Sequence, residues 1–494
     1  MQHTLLRVLA IAAVLTAAVN VRGPIASAQQ SATVPTQPPA PTPAPSSTPL
    51  PYPAYGAAVP GVGSGVVNPN VPQTITLQQA IAIGYASSPL LAQARAQLAI
   101  ATAPVGAAQS ALLPSISASG STTRSFQQAG SRTTTVGSGG SSTTTSALQY
   151  TSNGLDATLK QLIFDGGKIF DQLRAAKDTE KSSAATYQRE LQTVAYNVAT
   201  AYYNLLAARR ATQVAVETVN VDVVNEQLVS AQIKAGSEAA ADLSTAQLQT
   251  AQGRLAVVKD QGAELSAQAA FANAMGLDAN TYVLAKDDSP PPGSPIQLAV
   301  QIPSYDKAMV RALALRPDVF SAHYATESQR ASLKAAKLGL FPTIDGNASY
   351  GTNSTDVTGG TYRNSGSVGI AISIPIYDQG LTRAQVAQAQ GNVDLAVANE
   401  NATIQGVQLN VKQSLVNLVS AREGLTQANA ELVKAQEVLK STQAQYKAGV
   451  TTLPLLLNAQ VGYTQALTDQ ATAVYTLQQA QQAFLYAEGS NTGG

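Results

Sequence analysis

The stretch "VGIAISIPIYDQG" (368–380) changes its period at its end. Val368, Ile370, Ile372, Ile374 and Ile376 alternate with Gly369, Ala371, Ser373, Pro375 and Tyr377, which marks a strand with one apolar face. Beyond Asp378 and Gly380 the apolar residues fall at helical spacing instead. The same junction stands 213 residues earlier in "LDATLKQLIFDGG" (155–167). There Leu155, Ala157, Leu159 and Ile163 alternate with Asp156, Thr158 and Lys160, and Asp165 and Gly167 stand where Asp378 and Gly380 stand later. A junction made twice at fixed spacing is an internal repeat.

Upstream, each strand has an ascending partner, seen best where Ile344, Ala348 and Tyr350 alternate with Asp345, Asn347 and Ser349. Pro114 and Pro342 end the preceding helical stretches and lie 228 apart, as do Pro89 and Pro317. The offset then falls to 213, so the first copy is 15 residues longer in the Ser/Thr-rich piece between its strands. A variable hairpin loop tolerates such an excess. The strand hairpins are therefore delimited at 115–164 and 342–377. Strands of about ten residues cross a bilayer when tilted. Phe164 and Tyr377 at equivalent strand ends, with Phe341 beside Pro342, fit an aromatic girdle.

Downstream, proline-free helical pattern fills 167–234 and 380–447, 68 residues each, or roughly 100 Å at 1.5 Å per residue. Both end in K-A-G, in "QIKAGSEAAADLSTAQLQT" (232–250) and "QYKAGVTTLPLLLNAQVGY" (445–463). Gly236 and Gly449 suit the left-handed residue that terminates a helix, and Lys234 and Lys447 suit the negative end of its dipole. Tips are thus expected at 235–242 and 448–453, with return helices over 243–275 and 454–488. Residues 77–113 and 306–340 each read as one helix. Their lengths imply end-to-end stacking of 243–275 on 306–340 and of 454–488 on 77–113, each pair matching one long helix. The repeats then occupy 75–275 and 306–488, with an irregular connector at 276–305 and a tail at 489–494.

Arg7, the apolar run 8–19 and the small residues Ala26-Ser27-Ala28 form the three parts of an export signal, placed at 1–28. Residues 29–74 are rich in Pro, Ser and Thr, which predicts a disordered tether. The absence of cysteine excludes disulfides, thiolate metal sites, a cysteine nucleophile and acylation at an N-terminal thiol. Net charge is +1 and only 12% of residues are charged, against about 25% for soluble domains, so no nucleic-acid partner is expected. Of two histidines, His3 leaves with the signal and His323 has no second ligand at metal spacing. Phosphate-loop and GxSxG motifs are absent. Neither an enzyme nor a cofactor is expected. No apolar run beyond the signal reaches 18 residues, so membrane insertion must use strands.

The duplicated half, Leu113 and Phe341 before Pro114 and Pro342, "FDGG" (164–167), "YDQG" (377–380) and the two glycine tips together resemble the TolC-like outer-membrane efflux family, from about 75 to 488. The resemblance implies a fold that is mainly α with a membrane β-barrel portion. It implies a homotrimer in which each protomer gives four strands to a 12-stranded barrel, continuous with a periplasmic α-helical barrel. The implied partners are a periplasmic adaptor, an inner-membrane pump and outer-membrane lipid, with adaptor contact at Lys234, Gly236, Lys447 and Gly449. Cargo would pass outward without chemistry, its identity set largely by the pump. Closure would fall at the tips, where Asp242, six residues after Gly236, would face Tyr446, three before Gly449. An N-cap role for Asp242 is the alternative. Members with an acidic constriction carry carboxylates where this chain has Leu455 and Asn458, and Thr451 stands in place of a basic partner. A threefold ring of Leu455 would form an apolar collar. A periplasmic adaptor or coiled-coil scaffold would also be exported and helical. Two duplicated strand pairs without another β-rich domain argue against it.

Overall fold

The computed structural model describes residues 73–127, 131–136, 140–145, 148–234, 239–287, 293–355 and 361–490. The expected signal, the tether up to residue 72 and Gly236 lie outside them. In chain order the elements are β1 (Gln73–Ile75), α1 (Leu77–Ser87), α2 (Pro89–Ser110), β2 (Ser115–Gln127), β3 (Ser131–Val136), β4 (Gly140–Thr145), β5 (Leu148–Phe164), α3 (Lys168–Lys234) and α4 (Ala240–Ala274). The second half continues with β6 (Val283–Ala285), α5 (Tyr305–Leu315), α6 (Pro317–Lys337), β7 (Thr343–Thr355), β8 (Arg363–Ser373), α7 (Leu381–Lys447) and α8 (Leu453–Glu488).

Four antiparallel strands form one sheet in the order β2-β5-β7-β8. Its register sorts the side chains by face. Ile116, Leu159, Ala348 and Val368 form one cross-strand row, and Ala118, Ala157, Tyr350 and Gly366 the next on the same face. The opposite face carries Ser117, Thr158, Ser349 and Ser367, then Ser119, Asp156, Gly351 and Ser365. The Ser349 and Ser367 hydroxyls are 2.9 Å apart. Gly351 leaves the space that the Asp156 carboxylate occupies. The extra residues of the first copy include the β3–β4 hairpin. β8 ends earlier than its alternation implied. Ile374, Ile376 and Tyr377 lie beyond Ser373 and are exposed, where Pro375 has no N–H to add to the ladder.

The two long helices α3 and α7 have 67 residues each. The helices expected over 77–113 and 306–340 are instead broken, at Ser88 (φ −66, ψ 122) and Arg316 (φ −74, ψ 120). Each break precedes a proline, which disfavours helical backbone in the residue before it and suits the first turn of the next helix. Those breaks receive the ends of the return helices. Gly276 (φ +74) follows α4, and a Cβ there would lie 2.5 Å from the Ser87 carbonyl oxygen. Gly489 (φ +76) follows α8, and a Cβ there would lie 2.8 Å from Arg316 Cγ. Arg316, itself buried, donates to the Ala487 carbonyl at 3.0 Å, neutralising the end of α8. The stacked pairs are therefore α4 with α2 and α8 with α6, each within its own repeat, and not the cross-repeat pairs that length matching implied. Their lengths are 22 and 35 residues in one copy and 21 and 36 in the other.

The main core lies where these ends meet. β1 and β6 pair in parallel, and Ile75, Val283, Ala285 and Ile296 pack with Val194, Val198, Leu205, Phe271, Leu418 and Tyr475. The connector expected to be irregular thus contributes a strand and core residues. Its Asp287 accepts from Arg210 at 3.2 Å and from Tyr475 at 2.9 Å. Gly276→Ala is expected to destabilise by more than about 1 kcal/mol, since it adds both left-handed strain and a clash. Gly391→Ala, in α7 with open space around it, is expected to stabilise by about 0.5–1 kcal/mol. Thermal unfolding followed by circular dichroism should order the two Tm values on either side of the parent.

Candidate functional site

The strand-to-helix junctions are built identically. Asp165 accepts from the Gly167 and Ile169 N–H groups at 2.9 and 2.8 Å, and Asp378 from those of Gly380 and Thr382 at 3.1 and 2.7 Å. Gly167 and Gly380 have φ of +95 and +87. Hydrogen bonds led by those from Thr382 hold the Asp378 carboxyl below the usual carboxylate range. Pro114 and Pro342 stand just before β2 and β7. Phe341 lies on Gly166, where a side chain would meet its ring.

At the far end, Lys234 and Lys447 occupy the last turns of α3 and α7. Gly449 (φ +72) closes α7 by donating to Tyr446 O at 3.0 Å, and Val450 N–H reaches Gln445 O at 2.9 Å, the paired bonds of a left-handed helix stop. Both hairpins share a small apolar seat at the tips. Val229 of α3, Ala246 of α4, Tyr446 of α7, and Leu453, Leu456 and Leu457 of α8 are buried together. Leu455 (51% exposed) and Asn458 lie on the open side of the same turns.

Within the chain, Tyr446 does not take Asp242 as its acceptor. Its hydroxyl donates to Gln232 Oε1 at 2.9 Å, on the last turn of α3. α4 begins at Ala240, earlier than expected, with Ala239 as its N-cap. Asp242 therefore sits inside the first turn, where its charge suits the positive end of the helix, and not at the cap. His323 pairs with Glu400 across α6 and α7 at 3.1 Å.

Above the tips, a polar seam joins α3 of the first hairpin to α8 of the second. Asn204 pairs with Gln479 at 2.7 Å, and the Thr218 and Thr464 hydroxyls are 3.3 Å apart. Gln460 donates to Asp222 at 2.9 Å while accepting from Asn225. Asp222 is only 2% exposed, and burial pushes its carboxyl up to about 6. Sequence reasoning missed this acid. The available signal was its place seven residues from the buried Ala215 and Val229, a seam position where an apolar residue is the rule.

Comparison with known proteins decides the family. The model of the family described as "Outer membrane efflux protein" matches residues 82–277 and 308–489. The chain belongs to the outer membrane efflux protein family. The efflux protein is 25% identical to outer membrane efflux protein BepC of Brucella suis biovar 1, over 81% of this chain and 84% of that one. It is 31% identical to outer membrane protein OprJ of Pseudomonas aeruginosa over 29% of this chain and 31% of that one. Its fold is similar to the Campylobacter jejuni CmeC outer membrane channel, with a TM-score of 0.71, 19% identity, and coverage of 84% and 86%. Family and fold are those of a channel protein, and the family is one that works with adaptor and inner-membrane pump partners. The efflux protein is placed in the outer membrane of a Gram-negative cell and extends into the periplasm. Tyr446→Phe removes a hydrogen bond worth about 1 kcal/mol. It is expected to raise the open fraction about fivefold in planar bilayers, and an unchanged fraction counts against a gating role for this bond.

Proposed function

We propose that three copies of this chain close a 12-stranded barrel in the outer membrane, and that the long helices continue it as a periplasmic tunnel. Cargo delivered by an inner-membrane pump through an adaptor passes along it without chemical change. The observation that carries the reading is the two-faced sheet. Its apolar rows include exposed Ile116, Leu155, Val368, Ile370 and Ile372, while Ser, Thr, Asn and Asp line the other side. β2 and β8 are its two edges, and open strand edges are not tolerated in lipid. Threefold closure pairs each β8 with the next β2, turns the apolar rows to lipid and leaves the polar rows around water.

The tips, where helices reverse and both hairpins share one apolar seat, form the gate. Lys234, Gly236, Lys447 and Gly449 are the adaptor contacts on this reading. Leu455 and Asn458 line the constriction, and Asp242 is free to meet a neighbouring protomer. With Leu455 at the collar and Thr451 beside it, the constriction lacks carboxylates that would concentrate cations.

Outer-membrane fractionation with unheated gel electrophoresis tests the assembly, the expected result being a heat-modifiable trimer. A soluble monomer would sink the reading and favour a scaffold. Block by trivalent cations is expected to be weak in planar bilayers. Leu455→Asp should strengthen it by at least about tenfold, and nanomolar block of the parent would contradict an apolar collar.

A further inference from the structure

We propose that Asp222, with Gln460 and Asn225, is a second lock of the gate, joining the two helical hairpins when its carboxyl is protonated and freeing them when it ionises. The proposal rests on the gated-channel reading above. Asp222, on α3, touches two further helices. Its Oδ1 accepts from Gln460 of α8 at 2.9 Å. Its Oδ2 is buried and has no hydrogen-bond partner among the described residues. That second oxygen faces Gly253 of α4, where a Cβ would lie 2.9 Å from it and 3.0 Å from Val219 Cγ2. Only the missing side chain at 253 lets α4 close over the acid. Since α3 and α4 form the first hairpin and α8 belongs to the second, one carboxyl sits where the hairpins must part if the tips spread.

The charged form is poorly served there. A carboxylate can accept several hydrogen bonds and this one has a single amide donor. No salt bridge reaches it among the described residues. On α3, Glu226 lies one turn further on and accepts from Thr250 of α4 at 2.9 Å, adding acidity and not a counter-charge. From α4, Arg254 follows Gly253 but is exposed. From α8, Tyr463 lies one turn beyond Gln460, its hydroxyl pushed up by burial and then by Glu217. Ionised Asp222 thus gains most by meeting water. The contact that joins it to the second hairpin is the single Gln460 bond of α8, so parting α8 from α3 admits water without opening the first hairpin.

The sign follows from the two protonation ranges. The packed carboxyl titrates at about 6 and the hydrated one at 3.8. The packed arrangement carries no penalty below the hydrated value, a growing penalty between the two, and the full penalty above the packed value. The ratio of parted to joined hairpins is therefore expected to rise about tenfold from pH 5 to pH 7.5.

The test is the open fraction of the full-length protein in planar bilayers at pH 5 and pH 7.5. The parent should show the rise. Asp222→Asn, isosteric and uncharged, should hold the acid value at both. The chain has no cysteine, so Thr218→Cys with Thr464→Cys, at the hydroxyl pair one turn away on the same seam, supplies a second arm. Oxidised, that variant should stay at the acid value, and reductant should restore the rise. An Asp222→Asn protein that rises like the parent, or an oxidised pair that opens with pH as the reduced one does, overturns the lock and leaves the channel reading standing. A parent that conducts at neither pH overturns the channel reading and the lock with it.

Discussion

A helix of 67 residues, roughly 100 Å long, needs a partner along its whole length, and the rest of the architecture depends on how that partner is assembled. Each repeat builds it from two pieces meeting end to end. At the meeting point a proline opens one helix and a left-handed glycine closes the other, so that the carbonyl ends of α4 and α8 press against the breaks at Ser88 and Arg316. Without a bare Cα at 276 and 489 the ends would not fit. The main hydrophobic core gathers at this level, and β1, β6 and the connector brace it from the side.

From that brace the molecule runs in two directions with different chemistry. Toward the strands it makes a sheet whose faces are separated row by row, apolar on one side and polar on the other, as the proposed barrel requires. Toward the tips it makes two hairpins held together by a small apolar seat and by side-chain hydrogen bonds across α3 and α8. Such bonds are individually worth about 1 kcal/mol because water can replace them. A seam made of such bonds suits the gate and the lock proposed above, since each bond contributes little by itself.

Much of this was legible in residues. The period-2 run at 368–373, the Asp-x-Gly junctions and the second K-A-G tip are local signals, decided by backbone geometry within a few positions, and each appears where its pattern lies. The alternation at 374–376 runs past the end of β8, and Gly236 of the first tip lies outside the described residues. The stacking partners were not legible, because matching lengths cannot tell which end meets which. Tyr446 lies in the last turn of α7, but its acceptor within the chain is Gln232 and not Asp242. Hydrogen-bond direction depends on how two helices are rotated about their axes, and spacing along one chain carries no record of that rotation.

Gln247 and Gln460 show the division most clearly. They occupy equivalent places in the two tips, 213 residues apart, yet Gln247 is exposed and Gln460 is buried against Asp222. The sequence by itself determined the duplication, the two periods, the turns and the family, since these follow from local sterics and from apolar residues recurring at fixed intervals. Only the tertiary structure decided which of two equal glutamines meets a buried acid. Burial is a property of three helices packed together, and Gly253, far along the chain from both partners, is what lets them pack.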